Sequence, residues 1–336
     1  MKSLLYIGNK LSKKGKTQTT IETLSKNLSL EGYVVFSFSD KKNKVFRLFD
    51  MLFAIIKHAK KVDYVLIDTY STSNFYYAYL CSQLCRLLKL KYIPILHGGN
   101  LPNRLKLNPK LSKAVFKNAY VNVAPSLYLQ SEFEKYGYFN LVHIPNAINL
   151  QNYPFKDRTF ESIKLLWVRS FSEIYNPFLA VEILKSLLDE GFEASLCMIG
   201  PDNDGSLHKT KDYAKKMNLE VTFTGKLSKP EWISLSKNFN VFINTTNFDN
   251  MPVSVVEAMA LGLPVISTNV GGMPFLIENN NEGILVNPKS AKEFIAAIKK
   301  IRSSPEITNQ MILNARKKVE NYNWDIVKNL WIRVLK

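Results

Sequence analysis

Hydrophobic positions fall into two alternating textures along the chain. Short runs rich in β-branched and aromatic residues, with little polar alternation, occupy 3–8, 33–39, 63–68, 91–97, 119–125 and 140–145. A second series occupies 164–168, 194–200, 221–225, 241–246, 264–269 and 283–288. Between them lie longer stretches with apolar residues at helical spacing, among them 17–31, 45–61, 74–89, 126–136, 176–191 and 290–304. A strand without polar alternation is buried on both faces, and a helix after nearly every strand supplies the cover. The pattern predicts two doubly wound, parallel α/β domains. They part within "PNAINLQNYPFKDRTFES" (145–162), a weakly periodic segment that reads as the linker. Ligands of such sheets collect beyond the carboxyl ends of the strands, so the loops there are where chemistry is sought.

The first of these loops, in "YIGNKLSKKGKTQTT" (6–20), ends in Gly-Lys-Thr and invites comparison with an ATPase phosphate loop. That loop needs glycine, four residues, then Gly-Lys-Ser/Thr, because the spacing wraps backbone N–H groups around a phosphate. Here six residues separate Gly8 from Gly15, and Lys10 stands where the motif requires glycine. The match fails by spacing.

The 336 residues are enough for two domains, and 46% hydrophobic with 22% charged residues is a folded composition. Three cysteines make no disulfide framework, and the chain reads as cytoplasmic. Cys81 and Cys85, four apart in "YLCSQLCRLL", read as buried helix-face thiols rather than half a metal site. No apolar run approaches the length of a membrane span. The net charge of +17 is uneven: residues 1–150 carry 22 Lys and Arg against 8 Asp and Glu.

The stretch "NTTNFDNMPVSVVEAMALGLPVISTNVGGMPFLIENNNEGILVNP" (244–288) carries the most chemistry. Asp249 and Asn250 follow a strand and precede a helix start with a polar cap, Pro252 in the first turn and a stop at Gly262. Backbone N–H groups at Met251, Pro252, Val253 and Ser254, with the helix dipole, would cradle a phosphate. Glu257, one turn on, would repel phosphate but accept hydrogen bonds from a ribose diol. The combination suits a sugar nucleotide. This segment resembles the signature of the retaining GT-B glycosyltransferases of family 4, an acidic residue, seven residues, then Glu. "EAMALGLPVISTNVGG" continues that pattern.

The resemblance implies two Rossmann-like domains facing across a cleft: an acceptor-side domain at 1–148, a donor domain at 149–318, and a helix at 319–336 crossing back to the first. It implies that Asp249 contacts the transferred sugar and Glu257 the donor ribose. Arg169 in "LLWVRSFSEIYNP" matches the family cation that holds the diphosphate, but Tyr175-Asn176 stand near the expected lysine, and Phe275 stands where many members have Glu. Lys226 is either the second cation or a solvated surface lysine. Gly15 and Lys16, at the family's Gly-Gly position, would approach the donor phosphates and compensate. His97, before Gly98-Gly99 at a strand end, would contact the donor sugar. The implied activity is transfer of a sugar, with retention, from a UDP- or GDP-sugar to a saccharide or lipid-linked acceptor, in cell-envelope polysaccharide or lipopolysaccharide synthesis, without a metal cofactor. A non-catalytic sugar-nucleotide binder of the same fold is the alternative. A nucleic-acid partner is not expected, since no binding module accompanies the basic pI.

The excess charge concentrates in "DKKNKVFRLFDMLFAIIKHAKKVD" (40–63). Lys41, Lys42, Lys44, Arg47, Lys57, Lys60 and Lys61 flank an apolar helix pattern, which fits either an interfacial helix on the anionic inner face of a membrane or a solvated basic face over a packed core. Arg104, in "GGNLPNR", is placed on the same acceptor side.

Overall fold

The computed structural model describes residues 1–11 and 19–336. Gly15 and Lys16 lie outside the described residues. The chain divides into two compact units, Met1–Ala147 with Trp324–Lys336, and Ile148–Asn323.

The first unit runs β1 (Ser3–Ile7), α1 (Thr20–Leu30), β2 (Val34–Phe38), α2 (Lys44–His58), β3 (Tyr64–Thr69), α3 (Phe75–Leu87), β4 (Tyr92–Leu96), α4 (Leu101–Leu107), α5 (Pro109–Phe116), β5 (Asn122–Ala124), α6 (Leu127–Lys135) and β6 (Leu141–His143). Its strands pair in parallel in the order β2-β1-β3-β4-β5-β6. β1 and β3 are buried almost throughout, as strands covered on both faces must be. Local signals set the helix starts. The Thr19 N–H donates to Glu22 at 3.0 Å ahead of α1, and Asn43 Oδ1 accepts from Val45 N at 2.9 Å to open α2. The short α4–α5 pair has no counterpart among the predicted helices. Pro102 and Pro109 each sit in a first turn and Asn108 joins the two, so neither helix is long enough to show a periodic face. Cys81 and Cys85 are buried on α3, and burial pushes both thiols up, that of Cys85 to about 12. They pack as apolar groups.

The second unit runs β7 (Ile163–Val168), α7 (Pro177–Asp189), β8 (Ala194–Ile199), α8 (Ser206–Lys216), β9 (Thr222–Gly225), α9 (Lys229–Ser236), β10 (Val241–Asn244), α10 (Val253–Ala260), β11 (Val265–Thr268), α11 (Met273–Leu276), β12 (Ile284–Val286), α12 (Ala291–Ser303) and α13 (Pro305–Glu320). The sheet order is β12-β11-β10-β7-β8-β9, again with parallel pairing. Counted from β7, this is the classical dinucleotide-fold order, which reverses between β7 and β10. The first unit reverses between β1 and β3, the flavodoxin-like arrangement. The segment read as linker is partly built into the second unit. Arg158 is buried there, its guanidinium donating to Ser236 O, Phe239 O and Leu261 O at 2.7–3.0 Å.

The last helix, α14 (Trp324–Val334), belongs to the first unit. Val327, Trp331 and Leu335 enter the core formed by Leu4, Tyr6, Ile21 and Leu24, and Trp324 Nε1 donates to Glu31 at 3.1 Å.

His58 ends α2 buried beneath Phe36, ring centroids 4.3 Å apart, and burial, aided by the Lys57 and Lys61 charges, holds its imidazole below the ordinary value. Burial does the same to His143 on β6. As pH falls, the unfolded chain therefore takes up these protons first, so the stability they leave intact above the unfolded value of about 6.5 drains below it. Urea midpoints are expected to fall between pH 7 and pH 5, with a shallower fall in His58→Leu. An unchanged slope would show that His58 titrates alike in both states.

Candidate functional site

At the switch point of the second sheet, Arg169 follows β7 and the loop bearing Asp249 follows β10. Crossovers leave these adjacent strands in opposite directions, so the carboxyl ends between them stay uncovered. Arg169 and Asp249, 80 residues apart, form an ion pair with both side chains 14% exposed. The guanidinium also lies 3.9 Å from the centroid of the Tyr175 ring, so the residue near the family lysine position contributes a stacking surface instead of a charge. Arg169 Nε is buried and finds no acceptor among the described residues.

The loop is held by its own polar residues. Trp167 Nε1 donates to Thr245 Oγ1 at 2.9 Å, Thr268 Oγ1 donates to Thr246 O at 2.6 Å, and Asn247 N donates to Ile174 O at 2.7 Å. Each joins the strand-end segment 244–247 to a neighbour, and the string "NTTN" reads as a set of staples. Beneath the loop runs Gly271-Gly272. Gly272 N donates to Asp249 O at 2.9 Å, and a Cβ at Gly272 would fall onto the Asn250 carbonyl. Gly200 stands similarly close to the Arg169 carbonyl. Glycine is needed at 272 for space alone, because its φ of −83° suits any residue.

Helix α10 begins at Val253, with Pro252 itself at the cap. This corrects the expected polar cap at Asp249-Asn250 and removes one N–H from the expected cradle, since proline has none. Met251 is buried, while Val253 and Ser254 lie in the first turn, where the helix offers their N–H groups no acceptor. Ser254 Oγ is buried without a partner among the described residues. Asn250 N donates to Asp249 Oδ1 at 2.8 Å, which fixes the carboxylate against the backbone.

Glu257, one turn on, is 2% exposed. Its Oε1 accepts from the Tyr153 hydroxyl at 2.6 Å and from Lys229 Nζ. Burial, then the Glu257 charge, drives the Tyr153 phenol far above its ordinary range, so it stays a donor. Neither partner was expected. Tyr153 sits in the segment read as linker. Lys229 opens α9, whose Ser228…Glu231 capping box, with Ser228 N donating to Glu231 at 2.7 Å, was a readable signal. Lys226 is exposed three residues earlier, after β9.

In the first unit His97 follows β4, and its Nε2 donates to Asp68 Oδ1 at 2.8 Å. Tyr6 Oη donates to the same oxygen at 2.8 Å, while Asp68 Oδ2 is buried without a partner among the described residues. Asp68 ends the apolar run "DYVLID", a position whose side chain lies at the sheet's switch point, and this was the overlooked cue. Arg104 is occupied: its Nε donates to Ser71 O at 3.2 Å and its guanidinium stacks 4.3 Å from the Phe75 centroid. Arg47 is misplaced by the expectation of a basic surface. It is buried, donating to Lys41 O, Lys42 O and Asn9 Oδ1 at 2.7–3.0 Å, because these carbonyls need a donor beneath the α2 entry loop. The lysines at 41, 42, 44, 57, 60 and 61 are exposed.

Gly272→Ala is expected to destabilise the second unit by about 1–3 kcal/mol through overpacking against Asn250, measured by urea unfolding. A wild-type midpoint would mean that the loop gives way freely.

Residues 153–318 match the family model of glycosyl transferases group 1. The chain is 23% identical over 306 residues to protein CapJ of Staphylococcus aureus, covering 87% of this chain and 76% of CapJ. It is 24% identical over 199 residues, 56% of this chain and 51% of the relative, to a UDP-Gal:alpha-D-GlcNAc-diphosphoundecaprenol alpha-1,3-galactosyltransferase of Escherichia coli. Anabaena Alr3699/HepE, crystallised in complex with UDP-glucose, superposes with a TM-score of 0.81 at 14% identity, covering 100% of this chain and 99% of that one. The chain therefore has the GT-B fold, and its residues 153–318 match the glycosyl transferases group 1 model.

Proposed function

We propose that this protein transfers a sugar, with retention of anomeric configuration as in family 4, from a nucleoside diphosphate sugar to a saccharide or lipid-linked acceptor of cell-envelope polysaccharide synthesis. The observation that carries the reading is the meeting of Arg169 and Asp249 beside the first turn of α10 at the switch point of the donor-type sheet. In it the diphosphate takes the Arg169 Nε–H and the Ser254 hydroxyl, which have no partner among the described residues, together with the first-turn N–H groups of Val253 and Ser254. These groups meet the negative charge that grows as the sugar leaves, and Lys226 adds a further cation from the β9 loop. Asp249 keeps the guanidinium oriented and presents an oxygen to the sugar hydroxyls. Glu257, with both of its contacts on Oε1, turns Oε2 to the ribose diol. His97, oriented by Asp68, is the sugar-contacting candidate of the first unit.

The relatives support the donor and acceptor classes: one is named for UDP-Gal and a diphosphoundecaprenol acceptor, and one was crystallised with UDP-glucose. The departure at Tyr175-Asn176 favours weaker diphosphate binding, and at its extreme a sugar-nucleotide binder without turnover. Nucleoside diphosphate release from a panel of UDP- and GDP-sugars separates these. Arg169→Ala and Asp249→Asn are each expected to lower turnover by about 10²-fold or more, and NMR of the product is expected to show the donor's anomeric configuration. Wild-type turnover in both variants overturns the site, and an inverted product overturns retention.

A further inference from the structure

Helix α2 is amphipathic in the inverted sense: its outward face is apolar. Met51, Ala54 and Ile55 pack into the first unit's core, while Phe46 is 67% exposed, Phe49 63%, Phe53 63% and Ile56 59%. Spaced three, four and three apart, these four make one continuous stripe along the helix. A groove of about 670 Å³ runs beside it, with Lys41, Lys42 and Asn43 at one rim and Phe46, Phe49 and Phe53 along its wall. The exposed lysines 41, 42 and 44 lie at one end of the stripe, and 57, 60 and 61 at the other. Three acids stand among these six lysines, Asp40 and Asp63 exposed and Asp50 half-buried in the groove wall, so the surface keeps an excess of positive charge.

An apolar stripe of this size left in water needs an occupant. A second copy of the chain is a poor one, because a two-fold interface would press each lysine cluster against another. A surface with an apolar interior and a negative rim matches both features at once. We propose that α2 docks on an anionic lipid bilayer, with Phe46, Phe49, Phe53 and Ile56 seated at the headgroup–acyl boundary and the two lysine clusters on lipid phosphates. Among the described residues no helix is long and apolar enough to cross a membrane, so this is attachment from one side. The inference does not rest on the sugar-transfer reading, and its test contains no turnover measurement.

The test is sedimentation of the full chain with vesicles of phosphatidylcholine alone or mixed with phosphatidylglycerol. Binding is expected to be about tenfold tighter or more on the anionic vesicles, to weaken with added salt, and to drop about tenfold or more in a Phe49→Ser, Phe53→Ser double variant whose circular dichroism matches wild type. Phe49→Trp, which keeps the bulk, is expected to shift its emission to the blue on anionic vesicles and to be quenched by lipids brominated on their acyl chains. Three results overturn the proposal: equal binding of both vesicle types, tryptophan emission unmoved by anionic lipid, or a dimer in sedimentation equilibrium that the double serine variant dissolves. The last would assign the stripe to a second copy.

Discussion

A parallel sheet can be covered on both faces only if its connecting helices are divided between those faces, and where the division falls two neighbouring strands send their chains apart. That constraint opens a crevice above β7 and β10, and most of the chemistry described for the second unit follows from it. Arg169 and Asp249 come from different loops, yet each needs only to leave its strand to arrive there. The pair is partly withdrawn from water, which makes each charge depend on the other. The staples at 244–247, Tyr175 under the guanidinium and the glycines beneath the loop all keep the two chains at that distance.

The same arrangement recurs in the first unit with different chemistry. Its switch lies between β1 and β3, and the groups gathered there are a carboxylate with an imidazole and a phenol on one of its oxygens. The two sheets thus differ in the groups they present. The sheet of the second unit offers guanidinium and helix N–H groups. The other offers an oriented histidine backed by a buried acid. Two folds of one architecture need not repeat one site, because the architecture specifies a place and the loops supply the residues.

Departures from expectation share a cause. Arg47 reads as surface charge because its neighbours are lysines, yet two carbonyls of the turn before α2 and the Asn9 side-chain oxygen are acceptors that a guanidinium satisfies from below. Tyr153 and Lys229 carry no local mark of acting on Glu257 from 104 and 28 positions away. The polar cap expected for α10 failed because a proline after a strand-end loop can itself hold the extended cap conformation. Periodicity sees one element at a time, whereas a partner across the fold is set by packing.

What the chain determined by itself was every strand of both sheets, since inner strands buried on two faces need continuous apolar sequence and the part-buried edge strands β2, β6 and β9 still form short runs between turns, and the segment 244–288, since a loop that must pass glycine under carbonyl and then open a helix tolerates few residue types. Tertiary structure alone decided the strand orders, and with them which strand ends adjoin. It decided the burial of Arg47, the charges and hydroxyl that meet Glu257, and the return of α14 to the first core. It also decided that the phenylalanine stripe of α2 faces outward, because a helix with two apolar faces can bury either, and it is the face of Met51, Ala54 and Ile55 that packs on the sheet.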